Sequence, residues 1–91
     1  MKYHLDFSGS FKRDYKNCKK RGYNILLLKE TFQYLGEEGR LPTKYKAHKL
    51  TGNYSDCWEC HIKPDWLLIW KINRKEHIIE LVRTGTHADL F

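Results

Sequence analysis

The chain is poor in the features that mark secreted, membrane-spanning and haem-carrying proteins. It has three cysteines, an odd number that argues against a disulfide framework. No stretch approaches the ~18 consecutive apolar residues of a membrane span. Met1 to Phe7 alternates polar and apolar residues where a signal peptide would carry an apolar core. A cytoplasmic protein with reduced thiols is therefore expected. Internal repeats and low-complexity segments are absent. Acidic residues are in short supply: eleven Asp and Glu stand against seventeen Lys and Arg, a formal charge of +6. That excess favours polyanionic partners, whether nucleic acid, an anionic membrane surface or an acidic protein.

What is present suits one folded domain over residues 1–91. The hydrophobic fraction is 41% and the aromatic fraction 14%, the composition of a globule and not of a disordered tail. Tyr3, Leu5 and Phe7 alternate with polar residues, the period of a half-buried strand. Ser8-Gly9-Ser10 breaks it and offers a helix N-cap. Phe11, Tyr15 and Cys18 then fall on one helical face, with Lys12, Arg13, Lys16, Lys19, Lys20 and Arg21 over much of the rest. Gly22 is placed to end that helix. Asn24 caps a second, whose buried face would hold Ile25, Leu28, Phe32 and Leu35, with Gly36 or Gly39 at its end. The short link Gly22-Tyr23-Asn24 predicts an antiparallel helical hairpin.

Arg40 to Asn53 reads as a long polar connection. Three strands follow: Cys57 to Ile62, Trp66 to Ile72 and His77 to Arg83. On the first, Trp58, Cys60 and Ile62 share a face, and Cys57, Glu59 and His61 share the other. The order β-α-α-β-β-β predicts an α+β fold, an antiparallel sheet with the helical hairpin packed on one face.

Cys57-x-x-Cys60-His61 spells a c-type haem attachment site, but its context does not fit. The segment alternates as a strand, and Met1 is the one methionine available as a second axial ligand. Alternation also points Cys57 and Cys60 apart, which serves zinc poorly. No metal ligand set and no cofactor are expected. RNA cleavage without a metal needs a base for the ribose 2′-OH, an acid for the departing 5′-oxygen and positive charge on the phosphate. His48, His61, His87, Glu59, Asp65 and Arg83 supply those groups. If the last strand runs antiparallel to the one before it, Arg83 and His87 arrive beside His61 and Asp65.

Three blocks in order carry a resemblance. They are Lys44-Tyr45-Lys46-x-His48-x-Leu50-x-Gly52-Asn53-Tyr54, Glu59-Cys60-His61-Ile62-x-Pro64-Asp65-Trp66-Leu67-Leu68-Ile69 and Val82-Arg83-Thr84-Gly85-Thr86-His87-x-x-Leu90-Phe91. Together they resemble the YafQ branch of the RelE/ParE toxin superfamily, over essentially the whole chain. The resemblance implies a RelE-like fold and a ribosome-dependent mRNA endonuclease that cuts codons in the A site, adenine-rich lysine codons among them. It implies a cognate antitoxin of DinJ/RelB type and contact with mRNA and ribosomal RNA. Operator DNA would be met only through the antitoxin complex, and no membrane is involved.

By that similarity His87 is the general acid, with Asp65 and His61 shaping or supplying the base. Arg83 would stabilise the phosphorane, His48 would contact phosphate or ribose, and Phe91 would stack on a base or else plug the core. Glu59 stands where some relatives carry Asp, as a substrate contact or a solvent-facing strand carboxylate. Trp66 would flank the site. The Lys12, Arg13, Lys16, Lys19, Lys20 and Arg21 face would grip ribosomal RNA or lie under an acidic antitoxin. A non-catalytic toxin that binds nucleic acid, or gyrase as ParE-type relatives do, is the alternative, and the His and Asp constellation argues against the gyrase-binding form.

Overall fold

A computed structural model describes residues 1–91. Strand β1 (His4–Phe7) leads into helices α1 (Gly9–Lys20) and α2 (Ile25–Glu38). Strands β2 (His48–Lys49), β3 (Trp58–Lys63), β4 (Trp66–Asn73) and β5 (Ile78–Gly85) follow, and the chain closes on a short helix α3 (His87–Leu90). The expected α+β class and element order hold, with β2 and α3 added. The Arg40–Asn53 connection is thus not all loop. It contains a 3₁₀ turn at Thr43–Tyr45 and the two-residue β2, too short a ladder to leave a period in the sequence.

The helix ends follow the local chemistry. The Ser8 hydroxyl accepts the Phe11 N–H at 2.9 Å, and Asn24 Oδ1 accepts the Leu26 N–H at 3.1 Å, so both helices start on satisfied amides. Gly39, with φ of 67°, ends α2 by donating its N–H to Leu35 O. A Cβ there would lie 2.4 Å from the Tyr3 ring, so glycine is required twice over. Gly36 stays inside the helix. The buried face of α2 is Leu28, Thr31, Leu35 and Gly36, rotated slightly from expectation, with Ile25 and Phe32 half-buried. Thr31 is tolerated there because its hydroxyl donates to Leu27 O at 2.9 Å.

The sheet order is β1-β5-β4-β3-β2. β2 through β5 are antiparallel, but β1 pairs parallel with β5, so the sheet is mixed where an antiparallel one was expected. No hairpin joins these two strands. Alternation within each says nothing about their relative direction, which is set by the helices and strands lying between them.

The α1–α2 layer covers one sheet face over a core that includes Phe11, Cys18, Leu28, Leu35, Cys60, Leu68, Trp70, Ile79 and Leu81. Cys57, Leu67, Ile69 and Leu90 form a smaller cluster on the other face, under Leu50, Tyr54 and Val82. β4 is covered on both sides: Leu67, Leu68 and Ile69 are 0% exposed. Each such side chain contributes about 1.5–3 kcal/mol by leaving water. Cys57 and Cys60 therefore sit in separate clusters on opposite faces, as the alternation predicted. Burial raises both thiols, and lifts Cys18 to about 11.

A β-bulge in β5 places the site. Ile69 pairs with Arg83, but the next residue, Trp70, pairs with Leu81, leaving Val82 as the extra residue. Plain alternation from Ile79 and Leu81 would turn Arg83 into the helix-covered core. The bulge shifts the parity, so Thr84 faces that core and Arg83 joins the face of Ile69.

Candidate active site

The sheet face away from the helices gathers the expected groups. His48 on β2 lies opposite Glu59, Glu59 opposite Ile69, and His61 opposite Leu67. The β4–β5 register sets Gly85 against Leu67, which carries the chain back over the Pro64–Asp65 turn. There Thr86 and Asp89 form a capping box that starts α3 and puts His87 at its first position.

His87 and Asp65 meet directly. Asp65 Oδ1 accepts the His87 backbone N–H at 2.9 Å and lies 2.6 Å from His87 Nδ1. The backbone bond first, and then the ring, hold the Asp65 carboxyl below the usual carboxylate range. His61 is next to them, its ring 6.0 Å from that of His87 and 6.3 Å from that of His48. The three rings make a row along the exposed surface. His61 Nδ1 lies 3.3 Å from Pro64 O, and His48 Nδ1 lies 3.0 Å from Lys46 O. A carbonyl only accepts, so in the neutral His61 ring Nδ1 carries the proton and Nε2 the lone pair.

Other expected residues are placed differently. Glu59 is neither solvent-facing nor open to a substrate: it is 5% exposed, with Oε1 3.3 Å from His48 Nε2. Its place on β3, behind the two-residue β2, makes it a support for His48. Arg83 does not touch the histidine row. Its Nε and Nη2 donate to Asp14 of α1 at 2.6 and 3.1 Å, and Asp14 also accepts the Thr84 N–H at 3.1 Å. Past Leu81, β5 has no β1 partner, and side chains of α1 and its N-cap take over the free edge: beside Asp14, Ser8 Oγ donates to Val82 O at 2.8 Å. The bidentate Asp14 contact raises the Arg83 pKa.

Phe91 is 66% exposed and packs edge-on against Tyr54 at 5.4 Å, so it does not plug the core; Leu90 does, at 7% exposure. Trp66 is buried, its indole N–H donating to Thr84 Oγ1 at 2.9 Å.

Lys12, Arg13, Lys16, Lys19 and Lys20 are all exposed on α1. Lys12, Lys16 and Lys19, joined by Lys29, rim an apolar groove floored by Phe7, Phe11, Tyr15 and Phe32, apart from the histidine row. Arg21 is not free with them, since it pairs with Asp89. Asp14, Tyr54 and Asp89 are the neighbours sequence reasoning missed. Thr86-x-x-Asp89 was legible as a capping box, whereas an acid among the five basic residues of α1 gave no sign of its partner.

The fold is one that bacterial toxins share. The family model described as bacterial toxin of type II toxin–antitoxin system, YafQ, matches residues 3–91. The mRNA interferase toxin YafQ of Escherichia coli K12 is 36% identical over 88 residues, covering 96% of this chain and 94% of that protein. The E. coli DinJ–YafQ toxin–antitoxin complex superimposes with a TM-score of 0.87 at 34% identity, covering 100% of this chain and 99% of that one. A metal-bound toxin from Helicobacter pylori gives 0.88 at 39% identity, covering 98% and 99%. The chain belongs to the YafQ family. A bound metal does not fit the residues here: no three His, Cys, Asp or Glu side chains are grouped to hold one ion. Asp65 is engaged by His87 and Glu59 by His48.

Proposed function

We propose that this chain is a ribosome-dependent mRNA endoribonuclease, acting in the cytoplasm by metal-independent acid–base chemistry as the toxin of a toxin–antitoxin pair. The observation that carries the proposal is the Asp65–His87–His61 corner. Asp65 takes up Nδ1–H of His87, which leaves Nε2 of that ring for the substrate. Asp65 is thereby committed to orienting His87, and the base role falls to His61, whose Nε2 is free. His61 removes the proton of a ribose 2′-OH, and O2′ attacks the adjacent phosphorus. Protonated His87 gives its Nε2 proton to the departing 5′-oxygen. The products are a 2′,3′-cyclic phosphate and a 5′-hydroxyl.

Arg83, its fork fixed by Asp14, stabilises charge on the non-bridging oxygens with its remaining N–H groups. Phe91, exposed beside Tyr54, stacks on a base. His48 contacts phosphate or ribose, and Glu59 holds it. Lys12, Arg13, Lys16, Lys19 and Lys20 add phosphate contacts with ribosomal RNA. The protein partner is a DinJ-like antitoxin, as E. coli YafQ has in its complex, and operator DNA is reached only through that pair.

The test is toe-printing of a translated mRNA with the wild type and His87→Ala. Cleavage by the wild type should require ribosomes, persist in EDTA, and fall on the order of 10²-fold or more in His87→Ala. Equal cutting by the variant, or loss of activity on chelation, overturns the mechanism.

A further inference from the structure

The turn that carries His87 is short, and α3 has only four residues. One helical turn does not hold itself, because nucleation costs more than its few hydrogen bonds return. Its geometry has to be imposed from outside. Asp89 is where most of that constraint converges. Its Oδ2 accepts the Thr86 N–H at 2.9 Å, and its own N–H donates to Thr86 Oγ1 at 3.1 Å. The same carboxylate takes a bidentate pair from Arg21, just past the end of α1, at 2.6 and 3.1 Å. It also lies against the bare face of Gly85, which has φ of 155°, and a Cβ there would come 2.8 Å from Asp89 Oδ2. Glycine at 85 is thus required by the carboxylate as well as by the backbone. Two residues before Asp89, the turn presents the His87 N–H and ring to Asp65.

We infer that Arg21 and Asp89 are positioning residues for His87: the helix-end guanidinium locks the capping box of the last turn and so fixes the aim of the acid. Neither side chain touches the histidine row. Arg21, read from the sequence as one of the polyanion-binding cations of α1, has this separate task. The inference rests on the proposed nuclease reading.

It is tested with Arg21→Ala, Arg21→Lys, Asp89→Ala and the double alanine variant beside the wild type. Each is measured for kcat and KM on ribosome-bound mRNA and for hydrogen exchange of the His87 amide by NMR. Arg21→Ala should lower kcat about tenfold with KM little changed, as expected for a misplaced catalytic group. Arg21→Lys, which keeps the charge and loses the fork, should fall between. The His87 amide should exchange faster in both alanine variants, and the double variant should be no worse than Asp89→Ala alone. Wild-type kcat and unchanged exchange in Arg21→Ala would overturn the inference, as would losses that add in the double variant. A wild type that cuts no mRNA refutes the nuclease reading instead, and the amide exchange still decides whether Arg21 fixes the turn.

Discussion

Replacing Asp14 by alanine removes one carboxylate and strands three donors. Two are on the Arg83 guanidinium, at 2.6 and 3.1 Å, and the third is the Thr84 amide at 3.1 Å. The pair is mostly shielded: the side chains are 28% exposed for Arg83 and 12% for Asp14, while Thr84 is 1% exposed. Water reaches part of the guanidinium but not the Thr84 amide. A buried donor left unpaired costs about 1–3 kcal/mol, and bonds to a charged group are the stronger kind. Allowing for the partial exposure of Arg83, Asp14→Ala should lose about 3 kcal/mol. At a urea slope of about 1 kcal/mol/M for a domain of this size, the midpoint drops by about 3 M with the slope unchanged.

Asp14→Asn retains one acceptor oxygen and should lose about half as much. The decisive measurement is a double-mutant cycle with Arg83→Ala. Once Arg83 is gone, deleting Asp14 removes only the Thr84 contact, so the two losses should fall short of additivity by more than about 1 kcal/mol. Simple additivity, or an Asp14→Ala midpoint equal to the wild type, would show that α1 does not hold β5 through this pair. The same variant frees the Arg83 fork, so its cleavage rate per folded molecule should fall as well.

Thr84→Val keeps the shape of a 1% exposed residue but removes the acceptor for the Trp66 indole N–H and the donor to Leu67 O, at 2.9 and 2.7 Å. It should cost about 2 kcal/mol in urea unfolding, whereas Thr84→Ser keeps both bonds; equal losses in the two variants would refute the role of the hydroxyl. Asp65 and Asp89 are both held below the usual carboxylate range, Asp65 by the His87 N–H and ring, Asp89 by Arg21 and the Thr86 amide. In the folded state they give up their protons more readily than in the unfolded chain, so their stabilisation is present above about pH 4 and fades as pH falls below it. Melting temperature should decline on acidification through that range, and Asp89→Asn should show a shallower decline; identical pH profiles would count against the Arg21–Asp89 contact.

Local chemistry wrote much of this structure into the sequence. Ser8 and Asn24 cap their helices because a short side-chain oxygen before an apolar period satisfies the first free amides. The run Trp66–Ile72 reads as a strand covered on both faces, which β4 is, because nothing else accommodates so continuous an apolar stretch in so small a domain. The separation of Cys57 from Cys60 follows from strand alternation. So does the arrival of His87 beside Asp65, since two strands joined by a short turn run antiparallel and bring the end of one to the start of the other.

Contacts between distant segments left no such trace. The parallel pairing of β1 with β5 joins elements about seventy residues apart, and no alternation encodes it. The Val82 bulge is one unpaired residue with no marker of its own, yet it decides which face Arg83 occupies. The partners of charged side chains are likewise tertiary facts: Asp14 meets Arg83 and Arg21 meets Asp89 because α1 lies along the free edge of β5. Sequence alone therefore determined the elements other than β2 and α3, their caps and the chemical groups of the site, since these depend on neighbours a few residues away. Only the tertiary structure decided which groups are aimed and which are held, because a charge is paired by proximity in space and not by distance along the chain.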